Sequence, residues 1–153
     1  MTTRRYDGLH ELLAGWLAVP GLTAAAAAPA VPLLHGLLDR ARGRAAKRYG
    51  RALADPSDMT GWHEARKAAK AVRYCAEAVV AAFGDRACAH AAAWEAVTDA
   101  LGEVQDSVVA REAFADRAGD PVVDALLAFQ VGRGKAELAR GRAALESALV
   151  ASL

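Results

Sequence analysis

Apolar positions recur along the chain in steps of three and four, not in alternation, and that period predicts helices almost throughout. Leu9, Leu12, Leu13, Trp16 and Leu17 share one face of a short helix over residues 6–18, which Pro20-Gly21 stops. Residues 22–32 form an alanine- and proline-rich connector. A second helix runs from Pro32 to about Ala54, with Leu34, Leu38, Ala41, Ala45 and Ala52 on its core side. Asp55-Pro56-Ser57-Asp58 reads as a turn, and Asp58 or Thr60 can cap the next helix. That helix runs to about Phe83, ends at Gly84-Asp85, and turns Ala65, Ala68, Val72, Ala76 and Val79 inward. Trp94, Val97, Leu101, Val104 and Val108 make the core side of a helix over residues 86–117, broken by Gly119-Asp120-Pro121. The last helix spans residues 122–150 and packs through Leu126, Phe129, Leu138, Leu145 and Leu149, with Gly132-Arg133-Gly134 as an expected weak point. No alternating run of β-branched residues bounded by turn pairs occurs. The pattern predicts an all-α fold: an antiparallel, up-down helical bundle of long amphipathic helices with short ones at both ends, residues 1–153 forming one domain.

The polar positions are as regular as the apolar ones. His63, Arg66, Lys70, Arg73 and Glu77 recur at helical spacing with Lys67 and Tyr74 beside them, so all seven fall in one stripe roughly 120° wide. On the preceding helix Arg40, Arg44, Lys47 and Arg51, with Arg48 adjoining, make a second cationic stripe. The short turn between the helices makes them antiparallel neighbours, so the two stripes are expected to line one groove.

Charge distribution changes the picture more than the total. The formal net charge is only +1, yet from Arg40 to Arg73 there are ten Arg or Lys against three acids, a net of +7. From Asp85 to Asp124 nine acids face three arginines, a net of −6. A concentrated basic surface argues for an anionic partner. Guanidinium forks bind phosphate oxygens bidentately, lysines act as mobile point charges, and a histidine in the same row adds a further donor. Two bland readings compete with this one: a solvated helix face, or internal pairing with Glu77, Asp99, Glu103 and Asp106.

Catalysis has little support. The sequence holds no nucleophile elbow, no HExxH, no Walker segment and no glycine-rich phosphate loop. The four histidines, at 10, 35, 63 and 90, are dispersed without metal-ligand spacing, and Cys75 and Cys88 form no CxxC. No enzyme activity, cofactor or metal is therefore expected, and two reduced thiols point to the cytoplasm. Residues 12–38 carry no charged side chain, which raises a membrane span or an export signal. Pro20-Gly21, Pro29 and Pro32 cut that stretch into pieces too short to cross, so a soluble helix-loop-helix is expected.

The segment His63-Glu64-Ala65-Arg66-Lys67-Ala68-Ala69-Lys70-Ala71-Val72-Arg73-Tyr74 resembles the CHAD family, the conserved-histidine α-helical domains. His63, Arg66, Lys70, Arg73 and Tyr74 match its His-x-x-Arg-x-x-x-Lys-x-x-Arg-Tyr helix, and Glu77 supplies the acid that follows. Leu101-Gly102-Glu103-Val104-Gln105-Asp106 is similar to the family's Leu-Gly-x-x-Asn/Gln-Asp segment. No second His-x-x-Arg helix lies upstream, so the chain looks like the C-terminal half of a two-bundle CHAD-type domain. The resemblance implies binding of inorganic polyphosphate without turnover, through His63, Arg66, Lys70 and Arg73. Lys67, Arg40, Arg44, Lys47, Arg48 and Arg51 join these from helix geometry alone. Tyr74 and Asp106 are expected to order the site. A homodimer, or a second half-domain, would complete the cavity. Two other readings stay open: a histidine phosphotransfer bundle acting through His63, and a helical docking scaffold without ligand. Nucleic acid is not expected, because few aromatics stand in the basic stripes to stack on bases.

Overall fold

The computed structural model describes residues 4–151. Among them the chain is all-α: α1 (Arg4–Ala18), a short 3-10 turn (Ala24–Ala27), α2 (Ala30–Ala54), α3 (Met59–Ala78), the single-turn α4 (Val80–Phe83), α5 (Asp85–Phe114), a 3-10 turn (Ala115–Arg117) and α6 (Pro121–Val150). The chain divides into two compact units, residues 1–33 and residues 34–153.

In the first unit α1 buries none of its residues. Leu9, Leu12, Leu13 and Trp16 share the expected apolar side, yet all are exposed, Trp16 to 60%. Tyr6 and His10, one turn apart, hydrogen-bond at 2.9 Å. No helix of the described residues is long and apolar enough to cross a membrane.

The second unit holds the core, and local chemistry sets its helix ends. Asp58 accepts from the Thr60 amide at 3.0 Å and so caps α3. Asp120 accepts from the amides of Val122 and Val123, with Pro121 in the first turn of α6. Gly84 ends α4 with φ of +58°, a conformation that disfavours a side chain. The helix expected to reach Phe83 instead breaks at Val79, whose φ of −100° and ψ of 8° leave helical geometry.

Small residues let the helices approach closely. Ala41, Ala45 and Ala52 of α2, Ala65, Ala69, Val72 and Ala76 of α3, and Ala91, Val97 and Leu101 of α5 are buried. Trp94 sits at 0% exposure among them, worth about 2–3 kcal/mol in transfer terms. Tyr49 of α2 and Trp62 of α3 meet edge to face, ring centres 5.5 Å apart. Burial also pushes the Tyr49 phenol up to about 12.

Two expectations for α6 are corrected. It is not a short end helix with a weak point at Gly132-Arg133-Gly134, but 30 continuous residues. Its glycines serve packing: a Cβ on Gly134 would stand 2.6 Å from Ser107 Oγ, and one on Gly141 3.4 Å from Ala100 Cβ. These close approaches fix the α5–α6 register, and they place Phe129 on the outside at 64% exposure. Leu145 is buried as expected, with Gln130, Gly141 and Ala148 beside it, and Leu138 and Leu149 pack half-buried against the core. On α5 the expected side holds, with Trp94, Val97, Leu101 and Val104 buried and Val108 half-buried.

Candidate functional site

The buried residues of α3 include Trp62 and Ala69 beside Ala65, Val72 and Ala76, so its inward face lies closer to Arg66 and Arg73 than the apolar pattern suggested. Those two arginines are half-buried against α5, while His63, Lys67 and Tyr74 are exposed. The stripe is thus split lengthwise: one edge is held by α5 and the other meets solvent.

Three motif residues, the exposed His63 and the half-buried Arg66 and Arg73, meet particular partners on α5. His63 Nδ1 lies 3.2 Å from Gln105 Oε1, so the ring donates from Nδ1. Arg66 Nε donates to the Thr98 carbonyl at 3.4 Å, and its guanidinium lies over Gly102, where a Cβ would come within 3.2 Å of Nη2. Arg73 donates from Nε to Glu77 and from Nη2 to Glu95, each at 2.8 Å. The Glu77 hydrogen bond, with Glu95 adding Coulombic attraction, raises the Arg73 guanidinium further above its ordinary range. The two motif segments are therefore two sides of one antiparallel helix contact. Sequence reasoning named Gly102 and Gln105 within the second segment without tying them to Arg66 and His63, and it missed Thr98 and Glu95. The signal was present, since both segments belong to one family pattern.

Asp106 forms no ion pair among the described residues; it lines a cleft of about 350 Å³ with Arg66, Asp99, Gly102, Glu103 and Arg140. Glu103 is itself held by Arg133. Tyr74 is exposed, with the Arg73 guanidinium carbon 6.0 Å from its ring centre. Internal pairing thus claims part of the charge: Glu77 and Glu95 take Arg73, and Glu64 takes Lys67 at 3.0 Å. Lys70 and Arg66 enter no ion pair with any described residue.

On α2 the cations Arg40, Arg44, Lys47, Arg48 and Arg51 are exposed, and none is in an ion pair with a described residue. Arg48 and Arg51 line a cleft of about 250 Å³ beside the α2–α3 turn with Asp58, Thr60, Gly61 and Glu64. No cation of the α3 stripe lines that cleft; Glu64, which pairs with Lys67, stands there beside the α2 cations. The Lys67 hydrogen bond first, and the nearby Arg48 charge among lesser causes, hold the Glu64 carboxyl below the usual carboxylate range. Arg42, by contrast, turns inward and donates to the Leu149 carbonyl at 2.6 Å. No group of three or more His, Cys, Asp or Glu among the described residues is placed to hold a metal ion.

Among the described residues the arrangement offers ordered cations on α3 and, on α2, exposed cations outside any ion pair. Comparison with protein families finds the CHAD domain matching residues 1–115, from α1 through α5. No curated protein and no solved structure matches the chain.

Proposed function

The chain belongs to the CHAD family, and on that premise we propose that it binds inorganic polyphosphate and does not turn it over. The ligand runs along α3, where the exposed His63 and Lys67 and the half-buried Arg66 and Lys70 face it, and across to Arg48 and Arg51, with Arg40, Arg44 and Lys47 extending the field. Arg73 contributes less to the ligand, because Glu77 and Glu95 already hold it. One observation carries the reading: Lys70 and the five α2 cations enter no ion pair among the described residues, in a chain of nearly balanced charge. Each phosphate contact contributes on the order of 1 kcal/mol, so tight binding requires many at once and weakens steeply with salt. A second copy of the chain, or a second half-domain, completes the cavity around the ligand.

The test is a titration with long-chain polyphosphate at several salt concentrations, with duplex DNA of equal charge as competitor. Salt-sensitive binding that DNA displaces poorly, and that Arg66→Ala/Lys70→Ala loses while its helical circular dichroism is kept, is the expected result. Equal preference for DNA would reduce the site to a general polyanion surface. Light scattering with and without polyphosphate reports the second copy; a monomer throughout would remove that part of the proposal.

A further inference from the structure

A third cleft lies away from the cationic stripes, where the start of α3 meets α5 and α6. It has a volume of about 150 Å³, and Met59, Trp62, Val104, Val108 and Leu138 give it apolar walls. A cavity of that size lined by apolar side chains accommodates a benzene-sized body. One wall belongs to α6, which lies beyond the residues that match the family.

Four polar side chains interrupt those walls, of which Ser107 already donates to the Val104 carbonyl. Gln130 is only 9% exposed, and its Oε1 has no hydrogen-bond partner. An amide buried in this way is costly unless something completes its bonding. Arg111 donates from Nε to the Ser107 carbonyl at 3.2 Å, and no described residue accepts from its terminal nitrogens. Lys135 is exposed and enters no ion pair with a described residue. No acid lines the cleft, although α5 is rich in acids. An apolar floor, a buried unsatisfied amide and two unpaired cations describe a receptor for one kind of molecule.

From this we infer that the cleft binds a small amphipathic monoanion, with a benzene-sized apolar body against Trp62 and Met59 and a carboxylate reaching Arg111 and Lys135. Gln130 bonds the ligand's polar end. The inference is independent of polyphosphate binding, which uses none of these residues, and a polyphosphate would gain nothing from the apolar floor.

Trp62 supplies the readout, because its indole N–H donates to the Pro56 carbonyl at 3.1 Å in the cleft wall. Phenylacetate is titrated into the ¹⁵N-labelled chain at constant ionic strength, with phenylacetamide as neutral counterpart and tripolyphosphate as an anion without an apolar body. Phenylacetate should shift the Trp62 indole resonance saturably while the Trp94 resonance, buried elsewhere, stays in place. Arg111→Ala/Lys135→Ala, both near the surface, should weaken it about tenfold by removing charged hydrogen bonds. Val131→Phe, at the cleft's edge, should abolish it by filling the space. The inference fails if phenylacetate gives no saturable shift, or if Val131→Phe leaves the shift unchanged. It fails equally if phenylacetamide binds as tightly as phenylacetate, or if tripolyphosphate moves the same resonance.

Discussion

The α2 and α3 basic rows look alike in sequence and are held in different ways. Along α3, α5 positions His63 through Gln105, Arg66 through the Thr98 carbonyl and the bare Gly102 backbone, and Arg73 through Glu95. Along α2, Arg40, Arg44, Lys47, Arg48 and Arg51 point outward with no ion pair among the described residues. An ordered cation has less rotamer freedom to lose on binding, whereas a free one adds long-range attraction at the expense of ordering. The difference suggests a division of labour: α3 sets geometry, and α2 sets field strength.

Neutralising substitutions in each row give the largest effects. Arg66→Ala/Lys70→Ala should lower polyphosphate affinity by about tenfold or more, from two contacts of about 1 kcal/mol each. Arg44→Ala/Lys47→Ala/Arg51→Ala should cost less affinity per residue while flattening the salt dependence by roughly one in slope per cation. Isothermal titration across a salt series separates the two. Identical slopes and losses would erase the distinction between the rows.

Gly102→Ala addresses the ordering of α3 by itself. The new methyl pushes against Arg66, while the helix gains about 1 kcal/mol in propensity. Affinity should fall roughly two- to threefold with the melting temperature unchanged or higher, since displacement of one guanidinium weakens one charged contact. A melting temperature that falls along with affinity would mean Gly102 serves packing alone.

Glu64→Gln removes a carboxylate that pairs with Lys67 of one row and feels the charge of Arg48 in the other. Removing the carboxylate frees Lys67 and relieves the field at Arg48. Affinity should rise about twofold, as expected for an exposed charge near the ligand. Unchanged affinity would mean the ligand does not cross between the helices there.

The last expectation touches neither row and so serves as a control. His90 is 2% exposed, with neither ring nitrogen hydrogen-bonded. Burial first, and the Arg42 charge second, depress its pKa below the ordinary 6.5. The unfolded chain then takes up this proton more readily than the folded one. Stability from neutral His90 is complete above 6.5 and declines as pH falls below it, through the depressed folded value. Thermal melts between pH 7.5 and 5 should show this decline in the parent chain and a reduced decline in His90→Leu. Parallel declines in both would place the pH sensitivity elsewhere.

Much of this was readable in the sequence for local reasons. The Asp58 cap, the stop at Gly84, the α5 face of Trp94, Val97, Leu101 and Val104, and both cationic rows follow from neighbours within a few positions. The motif also pointed correctly to the family. Phe129 was misplaced because α6 turns on Gly134 and Gly141, whose value is their lack of side chains against α5, and hydrophobic periodicity cannot register that. The break at Val79 has no sequence signal we can name.

The sequence by itself determined where the long helices run, which side of α3 is cationic and how charge is divided between the chain's halves. Only the tertiary structure decided that Gln105 meets His63, that Arg66 rests on Gly102, and that Arg73 pairs with Glu77 and Glu95 while Lys70 enters no ion pair among the described residues. The physical reason is the range of the interactions. Periodicity fixes the phase of burial around one helix axis, whereas the partner of each side chain depends on the register between two helices. That register is set by close contacts at particular small residues far apart in the chain.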